Sequence, residues 1–278
     1  MIQDPYITAI NSQRSTLSWM SSISENMANM YTPGFRQAVV RFSDFMNGVT
    51  PTEFTWDDYQ GKSTPGRLPS NLMVEGKGLF VTKKPDGTVR YTRLGDFKFD
   101  AEGNYVNDRG WKVQGYLLGE NGEVLSTTQS TSPGANNPNM AQGGPGLPPT
   151  TEINMWVDPS NGKFFGKYDE YKIRTDGTIV GMANGGKTVT PLYKVSLVNF
   201  PNVQGLSLVE EAAFAPGKNS GDPVQGTGEV RSGFLEASNT SMMQNVFFLR
   251  QAKMQMDVTS KLISTNKSLL EETLRLIQ

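Results

Sequence analysis

The chain of 278 residues contains no cysteine and no histidine. Without thiols, disulfides, thiolate metal sites and iron–sulfur clusters are excluded. Without imidazole, Ser-His-Asp triads, zincin helices and most transition-metal sites are excluded as well. The chemistry left would use carboxylates, lysine, serine or tyrosine, and no pair of these is marked out by spacing. The sequence therefore argues against an enzyme and nominates no catalytic residue, no metal ligand and no cofactor. Long apolar runs are also missing: 36% of the chain is hydrophobic, and no stretch approaches the ~20 apolar residues of a membrane span. Met1-Ile2-Gln3-Asp4-Pro5 has neither the basic nor the apolar region of a signal peptide. Charge of one sign is absent too. A formal net charge of -1 sets up no field for nucleic acid or an anionic membrane, so neither is expected as a partner.

What is present is turn chemistry in the middle and helical periodicity at the ends. Glycine (29) and proline (16) are abundant, which suits turn-rich β structure. Steps of three and four from Met242 meet Val246, Leu249, Lys253, Met256, Ser260, Ile263, Lys267, Leu270, Leu274 and Ile277. All but Lys253, Ser260 and Lys267 are apolar, the pattern of a helix packing along one seam. From Tyr6 the same steps meet Ile10, Gln13, Leu17, Met20, Ser24 and Met27, where only Gln13 and Ser24 are polar. Neither helix has a neighbouring helix in sequence. The seams are buried against each other or against other copies, and the long terminal helix favours copies, because two isolated helices bury too little to stay rigid.

The first helix is expected from about Pro5 to about Asn29, ended by Thr32-Pro33-Gly34. A second helical-period stretch follows at Phe35, Val39, Phe42 and Phe45. Residues 36–71 as a whole read as a linker or extended segment. From Leu72 short strands alternate with turns at Asp86-Gly87, Gly103-Asn104 and Asp108-Arg109-Gly110, the marks of an antiparallel meander. Residues 126–150 carry no charged side chain and read as a long irregular loop. Strands are expected again at 153–157, 171–174, 178–180 and 192–200, and 214–229 reads as loop-like. Ser238-Asn239 offers capping chemistry to the terminal helix. The expected fold is thus α+β: residues 1–35 and 236–278 form helices paired as a coiled-coil domain, and residues 72–235 form an antiparallel all-β domain.

Asp86, Asp100 and Asp176 stand beside or within Gly turns, where aspartate hydrogen-bonds local backbone. They are read as turn residues, not as a calcium or carboxylate site. Gly76-Lys77-Gly78 and Gly226-Thr227-Gly228 lack the rest of any phosphate loop.

Three stretches resemble a known family. Asn26-Met27-Ala28-Asn29 with Thr32-Pro33-Gly34-Phe35-Arg36 resembles the asparagine-rich N-terminal motif of bacterial flagellar rod and hook proteins. Tyr91-Thr92-Arg93-Leu94-Gly95-Asp96-Phe97, with Asp100 and Gly103 following, is similar to that family's central β motif. Gly233-Phe234-Leu235-Glu236-Ala237-Ser238-Asn239 resembles the segment that opens its C-terminal helix. The short stretch before Leu72 fits a rod protein better than the larger hook subunit, without separating proximal from distal rod protein. Tyr31 departs from the family pattern, which has Asn there, as does Arg250-Gln251-Ala252-Lys253.

The resemblance implies a structural subunit of the flagellar basal-body rod, exported by the flagellar type III apparatus without a cleaved signal peptide. It implies self-assembly into a helical tube that transmits torque to the hook, with other rod and hook proteins as neighbours. The assembly-interface candidates are Ile10, Leu17, Met20, Asn26, Met27, Asn29, Met242, Val246, Leu249, Met256, Ile263, Leu270, Leu274 and Ile277. Asn26 and Asn29 have a local alternative, capping the last turn of the first helix. The competing reading of the whole chain is a coiled-coil-tethered β binding module that closes into a ring, as in phage-tail or adhesin-like proteins.

Overall fold

The computed structural model describes residues 5–43, 50–119, 121–124, 147–148, 150–155, 168–210 and 212–277. They form a mostly β protein with a helix near either end, divided into two compact units. The terminal unit takes Met1–Tyr31, Arg36–Tyr59 and Asn239–Gln278, and the central unit takes Thr32–Phe35 and Gln60–Ser238. Phe45 and most of the loop expected at 126–150 lie outside the described residues.

In the terminal unit, α1 (Pro5–Ala28) stops where Pro33 disfavours a further turn. The periodic stretch after it, within the segment expected to be linker or extended, forms a strand. β1 (Ala38–Ser43) pairs antiparallel with β2 (Thr50–Trp56), with a shift of register between Arg41 and Phe42. Val39, Val40, Thr50, Thr52 and Thr55 are β-branched, and that composition outweighs a short coincidence of period. The segment 36–71 therefore carries strands. α2 (Met242–Ile277) runs 36 residues, or ~54 Å at the usual helical rise. α1 and α2 are in contact, with the Trp19 and Phe248 ring centroids 6.1 Å apart.

The central unit begins with β3 (Ser63–Pro65), β4 (Leu72–Glu75), β5 (Leu79–Lys83) and β6 (Val89–Thr92). It continues with β7 (Phe97–Phe99), β8 (Tyr105–Asn107), β9 (Lys112–Leu117) and β10 (Thr151–Glu152). After these come β11 (Glu170–Ile173), β12 (Thr178–Ala183), β13 (Thr188–Val195), β14 (Leu197–Asn199) and β15 (Leu206–Glu210). β16 (Ala213–Pro216), β17 (Val224–Gln225), β18 (Glu229–Ser232) and β19 (Phe234–Glu236) complete it. The main antiparallel path runs β11-β12-β13-β9-β5-β6-β16-β15. The stretch expected as loop at 214–229 thus supplies most of β16, because Phe214, 3% exposed, packs inward opposite Tyr91.

Leu72, Val74, Phe80, Phe97, Tyr105, Val113, Ile153 and Val230 form one buried cluster. Its aromatic members meet edge to face: Phe80–Phe97 at 5.1 Å and Phe97–Tyr105 at 5.4 Å. Tyr105 donates its hydroxyl hydrogen bond to the Ser70 carbonyl, and complete burial raises its pKa well above the usual phenol range. The turns use the aspartates as local acceptors. Asp86, Asp100 and Asp176 accept the backbone N–H of Thr88, Glu102 and Thr178 at 2.8, 2.9 and 2.9 Å.

Gly95 marks the closest backbone approach in this core. A Cβ there would lie 1.7 Å from the Leu72 carbonyl oxygen, which itself sits on a paired strand. Gly95→Ala should cost about 3 kcal/mol or more in urea unfolding, since backbone must move. Gly87 has open space but φ +86°, so Gly87→Ala should cost only about 1 kcal/mol.

Candidate assembly surface

The three motif stretches supply the joints of the two units. In the central unit the entering and leaving segments are zipped together: β3 pairs with β19 and β4 with β18. Arg93 and Glu236 lock this ribbon from inside. Their side chains are 6% and 1% exposed, and Arg93 Nη1 lies 3.2 Å from Glu236 Oε2. Arg93 also donates to the carbonyls of Val74 and Gly76. The other carboxylate oxygen of Glu236 accepts the Gly61 N–H at 2.9 Å. Gly34 closes against the same place. Its N–H donates to the Glu236 carbonyl at 2.7 Å, and a Cβ on it would sit 2.5 Å from the Arg93 carbonyl carbon. With φ +69° as well, position 34 requires glycine.

In the terminal unit, asparagine amides do the equivalent work. Asn26, 2% exposed, treats Ala38 as a strand partner. Its Nδ2 donates to the Ala38 carbonyl at 2.8 Å, and its Oδ1 accepts the Ala38 N–H at 2.9 Å. The same Nδ2 lies 3.5 Å from Oδ1 of fully buried Asn245. Asn239 accepts the Gln37 N–H at 2.7 Å and donates to the carbonyls of Asp57 and Tyr59, both at 2.9 Å. Its amide is committed there instead of capping α2. Asn29 donates to the Glu25 carbonyl at 3.0 Å, the local capping bond of a last helical turn.

The helices bury an unusual face. On α1 the buried side chains are Ala9, Ser15, Thr16, Ser22, Ile23 and Asn26, and on α2 they are Asn245, Ala252 and Thr259. Most are small or polar, with hydroxyls turned back onto the carbonyl four residues earlier at Ser15, Thr16, Ser22 and Thr259. Of the large apolar residues of α2, Phe248, Leu249, Met256 and Ile263 are half-buried, and others are exposed. Met243, Phe247, Met254, Val258, Leu262, Leu269 and Leu276 are 54–84% exposed. At about 100° per residue Met243, Phe247 and Met254 lie opposite the Asn245–Ala252–Thr259 line, and Val258, Leu262, Leu269 and Leu276 continue round the adjoining flank.

Of the sequence candidates, Asn26 is buried, and Ile10, Met20, Met27, Asn29, Leu249, Met256 and Ile263 are half-buried. Leu17, Met242, Val246 and Leu274 are exposed at 48–63%. The side chains of Leu270 and Ile277 lie outside the described residues. The seam counted from Met242 runs along the flank of α2, between its packed line and its exposed stripe. The Arg93–Glu236 pair and the Asn239 bridge were not marked as sites by spacing. Only the motif membership of Arg93, Glu236 and Asn239 signalled them.

One charged cluster borders the ribbon. Asn71 donates to Asp96 at 3.0 Å, and Lys98 donates to Asp108 at 2.6 Å. Burial, together with the neighbouring Asp108 carboxyl, raises the Asp96 pKa above the ordinary carboxylate range. The bond from Lys98 holds Asp108 below it. Among the described residues no group of three or more Asp and Glu is arranged to hold a metal ion, and no helix is long and apolar enough to cross a membrane.

Comparison with known proteins places this arrangement in context. Residues 73–181 match the model of the flagellar hook protein FlgE/F/G D1 domain. The chain is 24% identical to the flagellar basal-body rod protein FlgG of Buchnera aphidicola subsp. Acyrthosiphon pisum, over 91% of this chain and 92% of that protein. It is 24% identical to the FlgG of Bacillus subtilis over 97% of each. Similarity to the flagellar hook protein FlgE of Rhizobium meliloti is 30%, but over 39% of this chain and 29% of that protein.

Removing either member of the buried ion pair should leave an uncompensated charge. Arg93→Met and Glu236→Leu are each expected to cost about 3–5 kcal/mol in chemical unfolding. The double variant should cost less than their sum by about 1–3 kcal/mol; additive losses would mean that the two groups do not act as a pair. For Asp96 the raised folded-state pKa means that its contribution is fully present below the unfolded value of 3.8 and is lost as pH rises through the folded value. Asp96→Asn should therefore gain stability relative to wild type between pH ~3.5 and pH ~7, read as the difference in thermal midpoints.

Proposed function

The chain belongs to the flagellar rod and hook protein family, and we propose that it is a structural subunit of the flagellar basal-body rod. The length over which it aligns with rod proteins, against the short overlap with a hook protein, supports rod over hook. In this reading the terminal helices form an inner, coiled-coil-like domain and the central β unit an outer one, corresponding to residues 1–35 with 236–278 and to residues 72–235. Copies add head to tail by heterologous contacts, which generate an open helical tube, not a closed ring. Torque passes along it to the hook. Other rod and hook proteins and the flagellar type III export apparatus are the expected partners, and no catalytic step is involved.

One observation carries the assembly mechanism. The described contact between α1 and α2 includes the Trp19–Phe248 rings alongside buried small and polar side chains, and α2 still leaves Met243, Phe247, Met254, Val258 and Leu262 more than half exposed. An apolar stripe of this size on one face marks an association surface. Its occupant is a second copy: the stripe runs along the helix that the copies share, and a net charge of -1 sets up little repulsion between them. The flanking candidates Leu17, Met242, Val246 and Leu274, all exposed, extend this contact.

Phe247→Asp places a charge in that contact, at a cost of several kcal/mol per subunit. It should abolish incorporation into the rod and motility while the thermal melt of the central unit stays unchanged. Lys253→Asp, at an exposed position already charged, should be far milder. Equal assembly of the two variants, or electron micrographs of wild-type protein showing discrete rings, would refute the proposal.

A further inference from the structure

The chain has no thiol, so its only oxidisable sulfur is thioether, in 13 methionines. Their placement is segregated. Met73 and Met155 are 3% and 4% exposed within the central core. Among the described residues the methionines more than half exposed, Met242 (55%), Met243 (84%) and Met254 (62%), all lie on α2. Met243 and Met254 belong to its exposed apolar stripe, on the same face as Phe247.

We propose that Met243 and Met254 form an oxidation-sensitive site, at which a hydroperoxide reversibly blocks association of free subunits; this rests on the assembly reading above. In the step, a sulfur lone pair attacks the terminal peroxide oxygen, the O–O bond breaks, an S–O bond forms, and the hydroxyl proton on that oxygen passes to the departing hydroxide or alkoxide. The sulfur loses two electrons, and the peroxide is reduced to water or alcohol. The product is a polar, chiral sulfoxide where an apolar, adaptable side chain stood. A sulfoxide oxygen buried against a second copy without a donor opposes association. In the assembled state the same atoms are covered and protected. Methionine sulfoxide reductases restore the thioether, so the block is reversible.

The test uses purified full-length chain treated with hydrogen peroxide. Oxidised positions are read by peptide mass spectrometry and self-association by sedimentation. Met243 and Met254 should gain oxygen well before Met73 and Met155, and association should weaken about tenfold or more. Reduction by methionine sulfoxide reductase should restore it. The Met243→Leu/Met254→Leu variant should associate like wild type and continue to do so after peroxide, since leucine keeps the apolar volume. Wild type that associates before peroxide, alongside a Leu variant that is equally sensitive to it, overturns this inference alone. Equal oxidation rates at the buried and exposed methionines overturn it as well. Untreated wild type that never associates overturns the assembly reading, and this inference with it.

Discussion

Glu236 is the residue on which the central unit turns. A carboxylate with its side chain 1% exposed stays charged only if the protein replaces the water it has lost. Arg93 and the Gly61 N–H supply that replacement, one oxygen each, while the Glu236 backbone carbonyl takes the Gly34 N–H. Segments far apart in sequence are thereby held at one place: residues 34, 61, 93 and 236. The pairing of β3 with β19 and of β4 with β18 depends on that convergence. Glycine at 34 follows from it, because a Cβ there would collide with the Arg93 and Leu94 backbone.

The terminal unit obeys a different constraint. Its helices combine the aromatic contact of Trp19 with Phe248 with buried small and polar side chains, among them Asn26, Asn245, Ala252 and Thr259. Amide-to-backbone bonds of this kind define register, since each donor has one acceptor within reach. They contribute modestly to stability, about 1 kcal/mol each. Met243, Phe247 and Met254, on the opposite face of α2, stay more than half exposed.

Much of the central unit was legible in residue order. The strands at 79–83, 89–92, 97–99 and 105–107 lie where alternation and Asp-Gly or Gly-Asn turns place them, because a turn needing positive φ admits few residue types. Where the reading failed, the signal was non-local. β16 is a strand only because β6 and β15 lie on either side of it. Over 36–71, read as linker or extended segment, the pairing of β1 with β2 likewise depends on a partner that residue order does not name. The motifs pointed to Arg93, Glu236 and Asn239 without saying that the first two would pair or that the third would bridge Gln37, Asp57 and Tyr59.

The sequence by itself determined a helix near each end, a turn-punctuated antiparallel centre and the lack of any thiol or imidazole chemistry. Each of these depends on local composition, periodicity or plain absence, which no tertiary contact can alter. Which face of α2 turns inward was decided only by the tertiary structure. Periodicity ranks large apolar residues as buried, and it favoured the line through Val246, Leu249 and Met256. The packed line instead passes through Asn245, Ala252 and Thr259, because close approach to α1 requires small side chains and amides with partners. Those partners, Asn26 among them, come from the other end of the chain, where helical period along α2 carries no information about them.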